Sequence, residues 1–177
     1  MSGGEGRRVV VGVSGSMGSL TALHRAVDEA RRTRAELVAV LAWLPPDGEL
    51  ARRCPVSPPA IDFRRAAAAR LLETIDDAFG SAGPAAPWQG VIARGRPGPA
   101  LVASADRAGD LLVIGAGRRS GLRRLIFPSV VRYCVAHAAC PVLAVPPSPL
   151  LSDLVSAHRR LSRWLPFDAR RLTEGTP

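Results

Sequence analysis

Five short apolar runs separated by four stretches of helical periodicity restrict this chain to very few folds. The runs are RVVVGV at residues 8 to 13, ELVAVLAW at 36 to 43, WQGVIA at 88 to 93, DLLVI at 110 to 114 and PVLAV at 141 to 145. Continuous valine-rich runs of this length mark strands covered on both faces, which occur in parallel sheets. Between the first two, Leu20, Leu23, Val27 and Ala30 recur at helical spacing over residues 17 to 34. Pro45 and Pro46 stop the second run, and an Ala-rich helix is predicted from about 60 to 80, ended by Gly80 with Gly83. A short helix is predicted at about 98 to 108, with Pro97 or Pro99 suited to its first turn, and a last one at about 128 to 138. Gly90 weakens the third strand signal. Alternation of this kind predicts an α/β fold, a doubly wound five-stranded parallel sheet with right-handed crossovers.

The 177 residues suffice for one domain with short appendages, and a hydrophobic fraction of 47% supports a packed core. No apolar run approaches the roughly 18 residues of a membrane span. The N-terminal MSGGEGRRVVVGV lacks a signal-peptide h-region, so a cytoplasmic location is expected. Cys54, Cys134 and Cys140 are odd in number and irregularly spaced, which argues against a disulfide framework. The net charge is +9 and all 24 basic residues are arginine, so base composition of the gene explains the pI better than a nucleic-acid partner does. Clustering is more informative than the total. Arg31, Arg32 and Arg34 suit a helix C-terminus. Arg118, Arg119, Arg123 and Arg124 crowd one loop, for which the helix dipole offers no reason.

That loop lies in the stretch from Ile114 to Val145, where a strand runs into a Gly-rich segment, a helix and a final strand. A Gly-rich loop that opens a helix can present N–H groups to a phosphate. Open parallel sheets bind ligands beyond the carboxyl ends of their strands, at the switch point in strand order. The two small-residue loops that follow strands are Ser14-Gly15-Ser16-Met17-Gly18-Ser19 and the one beginning at Gly115. If these adjoin, they form the site.

With VVVGVSGSMGS at the start, ARGRPGPALV and DLLVIGAG in the middle, and HAACPVL from His137 to Leu143, the order of motifs over residues 7 to 146 resembles the universal stress protein family. The spacing G-x2-G-x9-G-[ST] after the fourth strand belongs to the same resemblance. It implies a Rossmann-like domain of the adenine nucleotide alpha hydrolase-like kind, with strand order 3-2-1-4-5, and a homodimer. It also implies ATP, with magnesium, as the bound group in some members. By position, adenine contacts map to the backbone of Gly12, Ser14 and Trp43, and phosphate contacts to Gly115, Gly117, Arg118, Pro128, Ser129 and Val130. Three positions depart from the pattern. Ser14 replaces the usual Asp, Arg118 the second Gly and Pro128 the third; proline has no N–H to offer, although its fixed φ suits a first helical turn. Arginine in place of glycine adds a Cβ and a long side chain, but guanidinium groups can also hold phosphate. Nucleotide binding is therefore expected to be weakened or altered.

Other signals carry less. Cys134-x2-His137-x2-Cys140 lacks a fourth zinc ligand, so no metal site is expected. Gly12-Val13-Ser14-Gly15-Ser16 lacks the last glycine of a nucleophile elbow, and no catalytic residue is assigned. His24 and His158 are given structural or surface roles. Cys54, beside Arg52 and Arg53, is a candidate redox thiol, though an ordinary cysteine is the simpler reading. Residues 1 to 6 are expected to be flexible, residues 7 to 146 to form the domain, and residues 147 to 177 a Pro-led extension. In that extension Leu151, Leu154, Val155, His158, Leu161 and Leu165 predict an amphipathic helix at about 150 to 165, a surface for an unidentified protein partner. The apolar edge strand from Pro141 to Val145 is the expected homodimer contact. The leading expectation is a non-catalytic stress-response regulator or protectant. Two alternatives stand beside it: an ATP-binding protein with slow hydrolysis or phosphotransfer, and an Arg-rich interaction module for an acidic partner or surface. Nucleic acid is disfavoured because aromatic residues do not interleave with the arginines.

Overall fold

A computed structural model of the chain describes residues 6–44, 60–116 and 130–148. The chain divides into two compact units, and the first, Met1–Pro147, holds all the described elements. In chain order these are β1 (Arg8–Gly12), α1 (Met17–Thr33), β2 (Glu36–Trp43), α2 (Ala60–Phe79), β3 (Trp88–Arg94), α3 (Pro97–Ser104), β4 (Leu111–Gly115), α4 (Val130–His137) and β5 (Val142–Val145). The strands form one sheet in the order β3-β2-β1-β4-β5, and every neighbouring pair is parallel. The doubly wound sheet expected from the alternation is therefore present, with its order reversing at β1. The Arg-rich loop, Cys54, His158 and the expected helix at 150 to 165 lie outside the described residues.

The period-2 geometry of a strand sorts the valines of β1 between two cores. Val9, Val11 and Val13 face Ala22, Leu23, Ala26, Val27 and Ala30 of α1 and Ala67, Leu71 and Ile75 of α2. Val10 faces the other way, with Val38, Val40, Leu112 and Ile114, onto Leu101 of α3 and Cys134 of α4. Both faces of the central strand are thus dry, which is why its sequence is continuously apolar rather than alternating. Each buried valine or leucine here contributes about 1.5–3 kcal/mol relative to exposure.

Local chemistry sets the helix ends. Ser16 caps α1, its hydroxyl accepting the Ser19 N–H at 3.3 Å. The far end closes on Arg34, a non-glycine residue at φ 53°, followed by an Ala35 N–H bond to the Ala30 carbonyl at 2.9 Å, the six-to-one bond of a Schellman turn. Gly80, at φ 68°, ends α2 with its N–H on the Asp76 carbonyl.

α3 stops at Ser104, short of the expected position near 108. The residues beyond it are claimed by Asp110. Its carboxylate accepts the Arg107 N–H at 3.1 Å while its own N–H donates to the Arg107 carbonyl at 3.0 Å, closing a turn where helix would otherwise continue. The same carboxylate, 2% exposed, receives two hydrogen bonds from Arg8, Nε to Oδ1 at 3.0 Å and Nη2 to Oδ2 at 2.6 Å. Arg8 Nη2 also meets Asp106 Oδ1 at 2.7 Å. Since Val9 is in register with Leu111, Arg8 and Asp110 stand side by side at the N-terminal ends of β1 and β4. This clamp therefore occupies the end of the sheet away from the loops that follow the strands.

Candidate functional site

At the opposite end, the loop after β1 is tied down residue by residue. The Val13 N–H donates to the Val40 carbonyl at 2.8 Å, extending the sheet one residue past Gly12. The Ser14 N–H donates to Ser19 Oγ at 3.3 Å, and Ser19 Oγ donates to the Ser16 carbonyl at 2.8 Å. The hydroxyls of Ser14 and Ser16 lie 3.0 Å apart on the exposed side of the turn. Gly15 makes the turn in the left-handed region, at φ 69°.

The loop after β4 begins directly beside it. A Cβ on Gly115 would fall on the carbonyl oxygen of Gly18, 2.6 Å from its carbonyl carbon and 3.1 Å from the Ser19 nitrogen. Backbone therefore lies on backbone, and the start of the Gly-rich loop is seated on the first turn of α1. The two loops do adjoin, as a switch-point site requires. Gly12 is half-buried, and a side chain there would meet Leu101 at 2.9 Å.

Trp43 ends β2 with its carbonyl accepting the Gly95 N–H at 2.9 Å, and its ring stacks on Phe63 of α2 with centroids 6.3 Å apart. Val130, half-buried, opens α4 and packs against the α3-side core. Of the sequence-derived candidates, Gly12, Ser14 and Gly115 thus gather around the ends of β1 and β4, Trp43 sits at the end of β2, and Val130 at the start of α4. Gly117, Arg118, Pro128 and Ser129 lie outside the described residues.

The structure adds Arg70, which sequence reasoning did not single out. Its Nη2 donates to the Ser14 carbonyl at 3.4 Å, and its guanidinium lies over Gly15, Nη2 standing 3.6 Å from where a Cβ would be. A contact between residues 56 apart has no local signature; only the fold brings α2 over this loop.

Among the described residues, the arrangement offers hydroxyls, backbone groups and one guanidinium. It offers no acidic residue in the first turn of α1. Magnesium is held in proteins by carboxylates and phosphates, so the described donors do not suit that ion by themselves. Nor do Cys134, His137 and Cys140 converge. Cys134 Sγ donates to the Gly98 carbonyl at 3.8 Å, Cys140 Sγ to the Ala105 carbonyl at 3.9 Å, while exposed His137 stacks on Tyr133 with Nδ1 2.8 Å from its carbonyl. His24, for its part, meets Phe79 edge-on at 4.8 Å.

Burial pushes the Cys134 thiol up to about 11 and moves Cys140 in the same direction. Because the thiolate is the nucleophile, both should resist alkylation by iodoacetamide at pH 8 in the native protein and react on unfolding, read by peptide mass spectrometry. Equal rates in native and denatured protein would contradict their burial. Between the ordinary thiol pKa and about 11, the unfolded chain loses a proton that folded Cys134 keeps, so stability should fall as pH rises through that window.

An α/β sheet of this order, with its adjoining loops at the switch point, defines a Rossmann-like domain. Comparison with known proteins gives the family: residues 6–146 match the model of the universal stress protein family, and the chain belongs to that family. Universal stress proteins of Mycobacterium bovis and Mycobacterium tuberculosis are 33% identical over 137 residues, 76% of this chain. The chain spans only 44% of the length of those curated relatives. Among solved structures, a universal stress protein in complex with cAMP is 28% identical, with a TM-score of 0.52 over 81% of this chain and 98% of its own. A family member from Burkholderia pseudomallei shares the fold at 23% identity, TM-score 0.56, covering 82% of this chain and 99% of its own. So does an AMP-bound member from Arabidopsis thaliana, at 18% identity and TM-score 0.53, covering 81% and 93%. Among the described residues no helix is long and apolar enough to cross a membrane.

Proposed function

We propose that this protein is a non-catalytic stress-response regulator or protectant of the cytoplasm whose switch-point site holds an adenine nucleotide weakly. The observation that carries the reading is the seat of Gly115 on Gly18 and Ser19, which sets the opening of the Gly-rich loop against the first turn of α1 at the carboxyl end of the sheet. A relative at 28% identity bound to cAMP supports an adenine nucleotide as the ligand class. In this reading Gly12, Ser14 and Trp43 line the adenosine side. Gly115, Gly117, Arg118, Pro128, Ser129 and Val130 line the phosphate side, where Pro128 has lost an N–H donor and arginines supply charge instead. No residue is assigned a catalytic role. Residues 7 to 146 form the domain, and β5, the edge strand among the described residues, joins two copies. The extension from residue 147 is left as the surface for a protein partner.

Calorimetric titration of the full chain with AMP, cAMP and ATP, the last with and without magnesium, tests the reading. Weak binding is expected, strengthened about tenfold when Arg118→Gly and Pro128→Gly restore the N–H donor and close approach, a gain on the scale of one charged hydrogen bond. No phosphate should be released from ATP during long incubation. Absence of binding in both parent and double variant would remove the nucleotide from the reading, and steady phosphate release would replace it with the slow-hydrolysis alternative.

A further inference from the structure

Among the described residues, the charge facing the loop after β1 comes from one group. The loop itself, Ser14 to Ser19, carries hydroxyls and no ionisable side chain, and the first turn of α1 holds no acid. The nearest acids further along α1 are Asp28 and Glu29, and Glu29 is committed to Arg32. From α2 comes the Arg70 guanidinium, lying over Gly15 with Nε 3.8 Å and Nη2 3.6 Å from the position a Cβ would take. Thr74, one turn on, turns its hydroxyl back onto the Arg70 carbonyl at 2.7 Å.

Arg70 has carboxylates on its own helix, Asp62, Glu73, Asp76 and Asp77, yet among the described residues it forms no ion pair. Its recorded hydrogen bond is the 3.4 Å contact with the Ser14 carbonyl, at the long limit for such a bond. A guanidinium has five N–H donors in a planar fork shaped for phosphate. Beside it stand the hydroxyls of Ser14 and Ser16, 3.0 Å apart, each able to donate or accept. Among the described residues, a divalent cation placed here would meet a fixed positive charge and no carboxylate. A phosphate group would meet charge and donors together.

We propose that Arg70 sets the charge preference of the site: it selects a phosphate group free of metal over the same group chelated by magnesium. This deepens the nucleotide reading above and rests on it, with the phosphate nearest the ribose lying where the adenosine side at Ser14 meets the phosphate side at Gly115, both of which adjoin Ser19. Magnesium, expected alongside ATP from the family resemblance, then competes with the protein for the phosphate instead of assisting its binding.

The test uses the full chain, with adenosine, AMP and inorganic pyrophosphate as calorimetric probes, each in EDTA and in excess magnesium. AMP and pyrophosphate should bind more tightly in EDTA. Arg70→Gln should weaken AMP about tenfold and leave adenosine within about twofold, the loss of one charged hydrogen bond confined to the phosphate. Arg70→Lys should recover part of the AMP affinity, since it restores charge without the fork. Tighter binding in magnesium, or an equal loss of adenosine and AMP affinity in Arg70→Gln, overturns the proposal. If neither adenosine nor AMP binds the parent, the nucleotide reading fails, and pyrophosphate decides on Arg70: retention by the parent with loss in Arg70→Gln upholds its role, and no binding by the parent overturns it. Should Arg70→Gln fail to fold, the magnesium dependence of the parent decides alone.

Discussion

Gly115→Ala should lower the unfolding free energy by about 3 kcal/mol, the upper range for forcing extra volume into a packed site, and Gly115→Val by more. The sign is what makes this informative. Gly115 closes β4 without a left-handed φ, so backbone preference alone favours replacing it, by about 0.5–1 kcal/mol relative to glycine in a strand. The opposing term is the Cβ itself. It would land on the Gly18 carbonyl, and that atom is backbone in the first turn of a 17-residue helix, so it has no rotamer through which to move aside. Relief requires shifting α1 away from β4, which also loosens Ala22, Leu23 and Ala26 from the valines of β1. Gly109→Ala supplies the control, because a Cβ there would meet nothing within 4 Å and Gly109 has no left-handed φ. Urea unfolding midpoints, with slopes compared, measure both. A Gly115→Ala variant as stable as the parent would mean that the two loops do not sit backbone to backbone. Any nucleotide affinity should fall with it, since the same contact sets the spacing of the two halves of the site.

Much of this was legible in the residues, and the limits follow from physics. Strands announce themselves when both faces are buried, because every residue is then apolar; β1, β2 and β4 were therefore found to within a residue or two at either end. The sheet order came with the family resemblance, and alternation alone called only for parallel strands. The candidate site was legible as two small-residue loops, since glycine and serine are selected locally by turns and caps. Arg70 was not, because its role depends on which residues of α2 the tertiary fold turns toward Gly15, and nothing in the spacing along one helix encodes that. The end of α3 was misjudged for a related reason. The residues near 105 to 108 are compatible with helix by propensity, and propensity is a weak prior that tertiary context overrides. What overrides it is Asp110, which takes the Arg107 N–H for its own carboxylate. In the sequence Asp110 only opens the run DLLVI and Arg8 the run RVVVGV. Their pairing is a long-range fact, 102 residues apart in sequence.

That pairing carries the second large effect. Arg8→Met should destabilise the protein by about 4 kcal/mol, because it leaves a carboxylate at 2% exposure with its charge unpaired. Asp110→Leu should cost about 3 kcal/mol, somewhat less, since Arg8 keeps Asp106 at 2.7 Å and its own side chain is 13% exposed. The two losses should not add. In the double variant Arg8→Met with Asp110→Leu no charge is stranded, and apolar groups of similar volume replace the pair, so most of the stability should return. A pH dependence accompanies this. The hydrogen bond from Arg8 holds the Asp106 carboxyl below the usual range, so the ionised form contributes stability above the unfolded value near ~4, lost as pH falls through the depressed folded value. Removing Arg8 should therefore flatten the acid limb of the stability curve as well as lower its plateau. The parent, the two single variants and the double variant, each unfolded in urea at pH 7 and pH 3, form the measurement. Additive losses at pH 7 would mean the clamp acts as a pair of independent side chains. A coupled cycle, with the flatter acid limb in Arg8→Met, is the result expected of one buried carboxylate and one guanidinium joining the first residue of β1 to the turn that opens β4.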